Sequence, residues 1–189
     1  MGLLDKDTVK RVRQALSDAG QEDQVIELAD TARSAEDAAK AVGCELGAIV
    51  KSLVFAVGDQ MVMALVAGDH TCLEENLPAA LFLKGDVRRA QATEVKQATG
   101  FTIGGVAPVG LSEKMPVVVD RSLKRFEVIY AAAGHPHCVF PTTAKDLSRM
   151  TEGIISFNIA EPLDPSMAPA PLKRSKTMLK RAEGAVDPA

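Results

Sequence analysis

Between Thr8 and Ala19 apolar side chains recur at Val9, Val12 and Leu16, the spacing of one helix face, and Gly20 supplies a stop. Gln24 to Leu28 has the composition of a short strand. Ser34 is placed to cap a helix over Ala35 to Val42, which Gly43 ends. From Ala48 the pattern turns β-rich. One apolar run reaches Val57, Gly58-Asp59 reads as a hairpin turn, and a second run covers Met61 to Ala67. A helix is predicted over Leu73 to Leu83, followed by a basic segment at Arg88 and Arg89 and a short helix over Thr93 to Ala98 closed by Gly100. The stretch Phe101 to Leu111, with Gly104, Gly105, Pro108 and Gly110, reads as a shaped loop. Strands are predicted over Pro116 to Val119 and Phe126 to Ala132, separated by a polar turn, and another over Cys138 to Phe140. Thr142 or Thr143 caps a helix through Leu147, and Ile154 to Ile159 closes the sheet.

The pattern changes once more after Ile159, where Pro162, Pro165, Pro169 and Pro171 alternate with small residues in the manner of a linker. One domain over residues 1–160 and a tail over 161–189 follow from this. Within the tail, Leu172 to Gly184 has the residues of a short basic helix, of a length that is marginal in isolation.

The 189 residues, 47% of them apolar, are enough for one full core. No apolar run approaches the roughly 18 residues of a membrane span, and Met1 to Lys10 lacks the pattern of a signal peptide, so a cytoplasmic protein without membrane association is expected. Cys44, Cys72 and Cys138 are odd in number and far apart, as free thiols in a reducing compartment would be. The formal net charge of -3 argues against wholesale wrapping of nucleic acid and leaves room for a local basic patch.

Two features carry candidate chemistry. Lys51 is the only charged residue between Leu46 and Gly58, in a strand whose period places Ile49, Leu53 and Phe55 on its face. An ammonium there snorkels to water, finds a partner, or lines a cavity whose ligand brings negative charge. The loop Gly100-Phe-Thr-Ile-Gly-Gly-Val-Ala-Pro-Val-Gly110 lets backbone approach a ligand closely, although a tight structural turn would use the same residues. His70-Thr-Cys72 and His135-Pro-His137-Cys138 supply zinc-type ligands, and a metal-dependent hydrolase is one alternative reading. Their spacings match no strong zinc motif, so neither metal nor cofactor is expected. A module that binds tRNA or another nucleotide without chemistry is a further alternative. The 4% aromatic content does not favour a stacking platform for single strands. No Gly-x-Ser-x-Gly elbow is present, and the cysteines lack a catalytic context.

The strand Ile-Val-Lys-Ser-Leu-Val-Phe around Lys51, the glycine loop, and Val-Val-Val-Asp120 followed by Ala-Ala-Gly134 together resemble the YbaK and prolyl-tRNA synthetase-associated editing domain family, over roughly residues 5 to 160. The resemblance implies an α+β fold, a mixed and partly barrel-like β-sheet surrounded by helices. It implies a freestanding aminoacyl-tRNA deacylase that hydrolyses the ester of a mischarged small amino acid, alanine, cysteine or 2-aminobutyrate, on tRNA(Pro). Lys51 and Gly104 take the catalytic roles by this likeness, and Gly105, Pro108, Asp120 and Gly134 the substrate-binding ones; His135 is added to these because it directly follows Gly134. The implied partners are the acceptor 3′ end of mischarged tRNA and prolyl-tRNA synthetase.

Overall fold

The computed structural model describes residues 2–29, 32 and 34–167. In chain order the regular elements are α1 (Asp7–Asp18), β1 (Ile26–Glu27), α2 (Ala35–Val42), β2 (Val50–Val57), β3 (Gln60–Ala67), β4 (His70–Cys72), α3 (Leu77–Ala80), β5 (Val87–Arg89), α4 (Ala92–Thr99), β6 (Val117–Asp120), β7 (Ile129–His135), β8 (Cys138–Thr142), α5 (Ala144–Thr151), β9 (Ile154–Ser156) and β10 (Ala160–Pro162). Five strands form a sheet in the order β5-β2-β3-β6-β9, three form a second sheet β1-β8-β7, and β4 pairs with β10. The β2–β3 hairpin and the β2–β5 pair are antiparallel, whereas β3–β6 and β6–β9 are parallel. The fold is thus of the expected mixed α+β class. Among the described residues the strands do not close into a barrel; the five- and three-stranded sheets meet at the parallel bridge Ile49–Tyr130.

Local chemistry explains the helix limits. Ser34 Oγ accepts the Asp37 N–H at 3.1 Å and Gly43 ends α2 in the left-handed region. Thr143 caps α5 in the same way, its Oγ1 accepting the Asp146 N–H. Val9, Val12 and Leu16 of α1 are buried in the main core, where they join Val50, Val54, Met63 and Leu65 from one face of the large sheet. The opposite face buries Phe55, Val57, Val62 and Ala64 beneath Leu77 and Leu81. Alternation along β2 therefore sends Val50 and Val54 into one core and Phe55 and Val57 into the other, as a strand buried on both faces requires.

Four elements differ from the sequence pattern. The helix expected over Leu73 to Leu83 is a 3₁₀ turn, Glu74–Asn76, followed by the short α3. Pro78 has no N–H to extend a helix across that junction. Arg88 and Arg89 lie in an edge strand, β5, which pairs with the end of β2. The strand expected over Phe126 to Ala132 begins three residues later, because Phe126 closes the preceding 3₁₀ turn through its N–H to Leu123 C=O. The expected strand Ile154 to Ile159 is split into β9 and β10, so sheet pairing runs to Pro162. Leu172 to Gly184 lies outside the described residues.

Candidate active site

Strand β2 is fully paired with β3 on one edge, but on the other β5 reaches only Phe55 to Val57. Below that point the glycine loop and the β7–β8 turn stand off from the strand and leave a cleft of about 290 Å³, lined by Lys51, Ser52, Gly104, Val106, Tyr130 and Pro136 among others. A second depression of about 200 Å³, with Arg89 at its wall, shares Ser52, Leu53, Ile103, Gly104 and Val106 with the first, so the two are continuous. The lining is mainly apolar. Ile103, 64% exposed, projects from the loop between them.

Lys51 lies on this wall, half-buried, and its ammonium donates to the His70 carbonyl oxygen. Burial lowers its pKa from the ordinary lysine value, opposed by the negative charges of Glu36, Asp69 and Asp120. The acceptor carbonyl is held firmly. His70 Nδ1 sits 2.7 Å from Asp69 Oδ1, and Arg125 donates to both Asp69 oxygens at 2.7 and 2.9 Å. Burial raises the pKa of Asp69, but the hydrogen bonds from Arg125 and His70 outweigh it and hold this carboxyl below its usual range. Burial pushes the neighbouring Cys72 thiol up to about 11, which disfavours the thiolate a nucleophile would need.

The other residues singled out from the sequence fall into distinct places. Gly104 lines both parts of the cleft at φ +95°, a conformation only glycine adopts freely, and an added Cβ would meet only Pro136 Cγ at 3.7 Å. Gly105 packs on the β7 end, where a Cβ would lie 2.9 Å from His135 Cα. Gly134, at φ +84° in the irregular part of β7, abuts the first turn of α1, with Thr8 O 2.6 Å from where a Cβ would be. His135 follows it: Nδ1 accepts the His137 N–H at 3.2 Å, and Nε2 lies 3.3 Å from the Lys6 ammonium. Burial, then Lys6 and His137, lowers the His135 pKa.

Asp120 and Pro108 are not on the cleft wall. Asp120 is buried at the end of β6, where it accepts the Ala67 N–H at 3.1 Å, the Ser122 N–H at 2.8 Å and the Ser122 hydroxyl at 2.5 Å. It fixes the end of β3 and reaches Lys51 only through its charge. Pro108 lines a separate depression, with Gly110, Met115 and Met150. His70 and Cys72 in β4 and the His135–Cys138 group at the β7–β8 turn belong to separate sheets, and among the described residues no three His, Cys, Asp or Glu side chains gather as a metal site. No helix of the described residues is long and apolar enough to cross a membrane. Ser52, Ile103 and Pro136 were not legible as cleft residues from sequence; an apolar Ile103 inside a glycine loop was the one available signal.

Known proteins resemble this chain in sequence and in fold. The profile of the aminoacyl-tRNA editing domain matches residues 29–150, which include β2, the glycine loop and the β7–β8 turn. The uncharacterized protein YwhH of Bacillus subtilis is 33% identical over 145 residues, 76% of this chain and 91% of that protein. The proline–tRNA ligase of a Geobacillus strain is 37% identical over 75 residues, 40% of this chain but only 13% of the ligase, so the likeness is to a small part of that enzyme. The crystal structure of a candidate trans-editing enzyme for prolyl-tRNA synthetase superposes with a TM-score of 0.75 at 34% identity, covering 82% of this chain and 98% of that one. With the matched profile spanning more than half of its length and the whole cleft-bearing framework, the chain belongs to the aminoacyl-tRNA editing domain family.

Proposed function

We propose that this protein is a freestanding deacylase that removes a wrongly attached small amino acid from the 3′ end of tRNA, with tRNA(Pro) as the carrier. The observation that carries the reading is Lys51, a half-buried ammonium on the wall of a mainly apolar cleft beside a glycine loop, in a chain of the editing family. Ester hydrolysis passes through an oxyanion, and a fixed cation or N–H in a partly desolvated cleft stabilises it more than water does. Lys51 holds the terminal phosphate, ribose or ester carbonyl of the aminoacylated adenosine, and the Gly104–Gly105 backbone positions the ester. The attacking group is water, assisted by the ribose hydroxyl next to the ester. Discrimination is steric, since a cleft of about 290 Å³ must hold the amino acid and part of the terminal nucleotide. Exclusion by size rejects larger residues, whereas a spare methylene's worth of room costs a smaller one only about 1–3 kcal/mol.

Single-turnover assays with tRNA(Pro) charged with alanine, cysteine, 2-aminobutyrate or proline test this. Hydrolysis of at least one of the three small esters, with prolyl-tRNA spared, is the expected result. Tight tRNA binding with no ester cleaved would identify a binding module instead.

A further inference from the structure

Ser52 occupies a gap in the sheet. On the open side of β2, β7 touches at the bridge Ile49–Tyr130, and β5 begins at Phe55, with the Ala90 N–H reaching back to Val54 C=O at 3.1 Å. No strand among the described residues pairs with Ser52 on that side. Its backbone direction follows from its neighbours. Ile49 C=O accepts the Gly68 N–H on the β3 side, Val54 C=O faces β5, and polar groups alternate along a strand. The Ser52 N–H and C=O therefore point into the gap. The side chain adds a second observation: Ser52 Oγ is shielded from solvent and meets no hydrogen-bond partner among the described residues. Shielded hydroxyls are nearly always partnered, and an orphan costs free energy that a ligand can recover. Ser52 is also shared by the two parts of the cleft, on the strand next to Lys51.

We infer that the aminoacyl group of the substrate binds as the missing strand residue opposite Ser52. One amino acid is the unit that can fill such a gap. In an antiparallel hydrogen-bonded pair, two residues exchange both N–H···O=C bonds. The α-amino group of the ester donates to Ser52 C=O, and the ester carbonyl oxygen accepts the Ser52 N–H. A protonated α-amine has further protons, one of which goes to Ser52 Oγ after rotation about χ1 between staggered positions. Directly opposed residues place their side chains on the same face, so the amino acid's side chain lies beside that of Ser52. Ser52 is thereby a positioning and size-determining residue. The inference rests on the deacylase reading for the identity of its ligand and adds what is recognised in it: the free α-amine.

The test uses the full chain and two tRNA-acceptor minihelices with stable 3′-amide links, one carrying alanyl and the other propionyl, which lacks only the amine. Wild-type protein is expected to bind the alanyl form at least about tenfold more tightly, the value of one or two hydrogen bonds to a charged donor. In Ser52→Ala that preference shrinks severalfold while propionyl binding changes little. Ser52→Thr, which retains the hydroxyl, keeps it. Thermal melting of Ser52→Ala is expected to match or exceed wild type, since an unpartnered hydroxyl is removed. Preference for alanyl without turnover of any ester would refute the deacylase reading while supporting this one. Equal binding of the two amides by wild type, or an equal loss for both in Ser52→Ala, would overturn it.

Discussion

The two halves of β2 have the same neighbours in sequence and different ones in space. At Phe55 to Val57 the strand is hydrogen-bonded on both edges and sealed in the second core. At Lys51 and Ser52 it is bonded on one edge, carries its single ammonium and lines the cleft. One strand thus supplies both an anchor and a working edge. The rigidity of the first half sets the position of the second, which is how a site gains precision from the scaffold that bears it.

The largest effect that separates the halves should come from the anchored one. Phe55 is 1% exposed, and Phe55→Ala is expected to cost about 3–5 kcal/mol in urea denaturation, as large-to-small changes in a packed core do. A cost under about 1 kcal/mol would mean that the two halves do not differ as described. At the working end the balance reverses. Lys51→Ala is expected to lower deacylation about 100- to 1000-fold, the usual cost of one well-placed electrostatic donor, with the fold retained. Near wild-type turnover in that variant would remove the lysine from the mechanism.

The lysine also sharpens the comparison through pH. Because burial depresses its folded pKa, holding the ammonium in place costs stability below that pKa, and the cost disappears above the unfolded value. Lys51→Met should therefore melt at or above the wild-type temperature at neutral pH, with the gap closing as pH rises past the ordinary lysine range. A clear drop in melting temperature at neutral pH would show that the ammonium serves the fold. The smallest effect belongs to the loop. Gly104→Ala meets little steric obstruction but keeps φ +95°, so about 1 kcal/mol of stability should be lost, read as a modest drop in melting temperature. No change there would mean that the loop relaxes to another conformation.

What the sequence made legible was local. The caps and stops of α1 and α2, and the hairpin at Gly58-Asp59, depend on residues within a few positions of one another and appear nearly as expected. The family resemblance likewise rested on short motifs, and Lys51 and Gly104 do meet at one cleft. Features set by distant pairing were hidden. A serine in an apolar strand looks unremarkable, and only the stopping points of β5 and β7 show that Ser52 faces a gap. Pro108, four residues from Gly104, lines a different depression, with Met115 and Met150, which residues distant in sequence help to form. Asp120 looked like a pocket residue by its place in a motif, whereas its hydrogen bonds serve the backbone of β3 and the following turn.

The pairing of β10 with β4 bears on where such a domain can be cut. Residues 160–162 lie along His70 to Cys72, and the Leu73 N–H to Ile159 C=O and Leu163 N–H to Asp69 C=O bonds fasten both ends of that ribbon. The carbonyl that receives the Lys51 ammonium, that of His70, is at one end of that ribbon, beside the Leu163–Asp69 bond. The family profile ends at residue 150, before the partner strand begins. A fragment trimmed to the profile's limits would keep the lysine, the glycine loop and most of both cores, yet lose the clasp behind the lysine's acceptor; for grafts and fusions, the strand pairing of this domain ends beyond its recognisable limit.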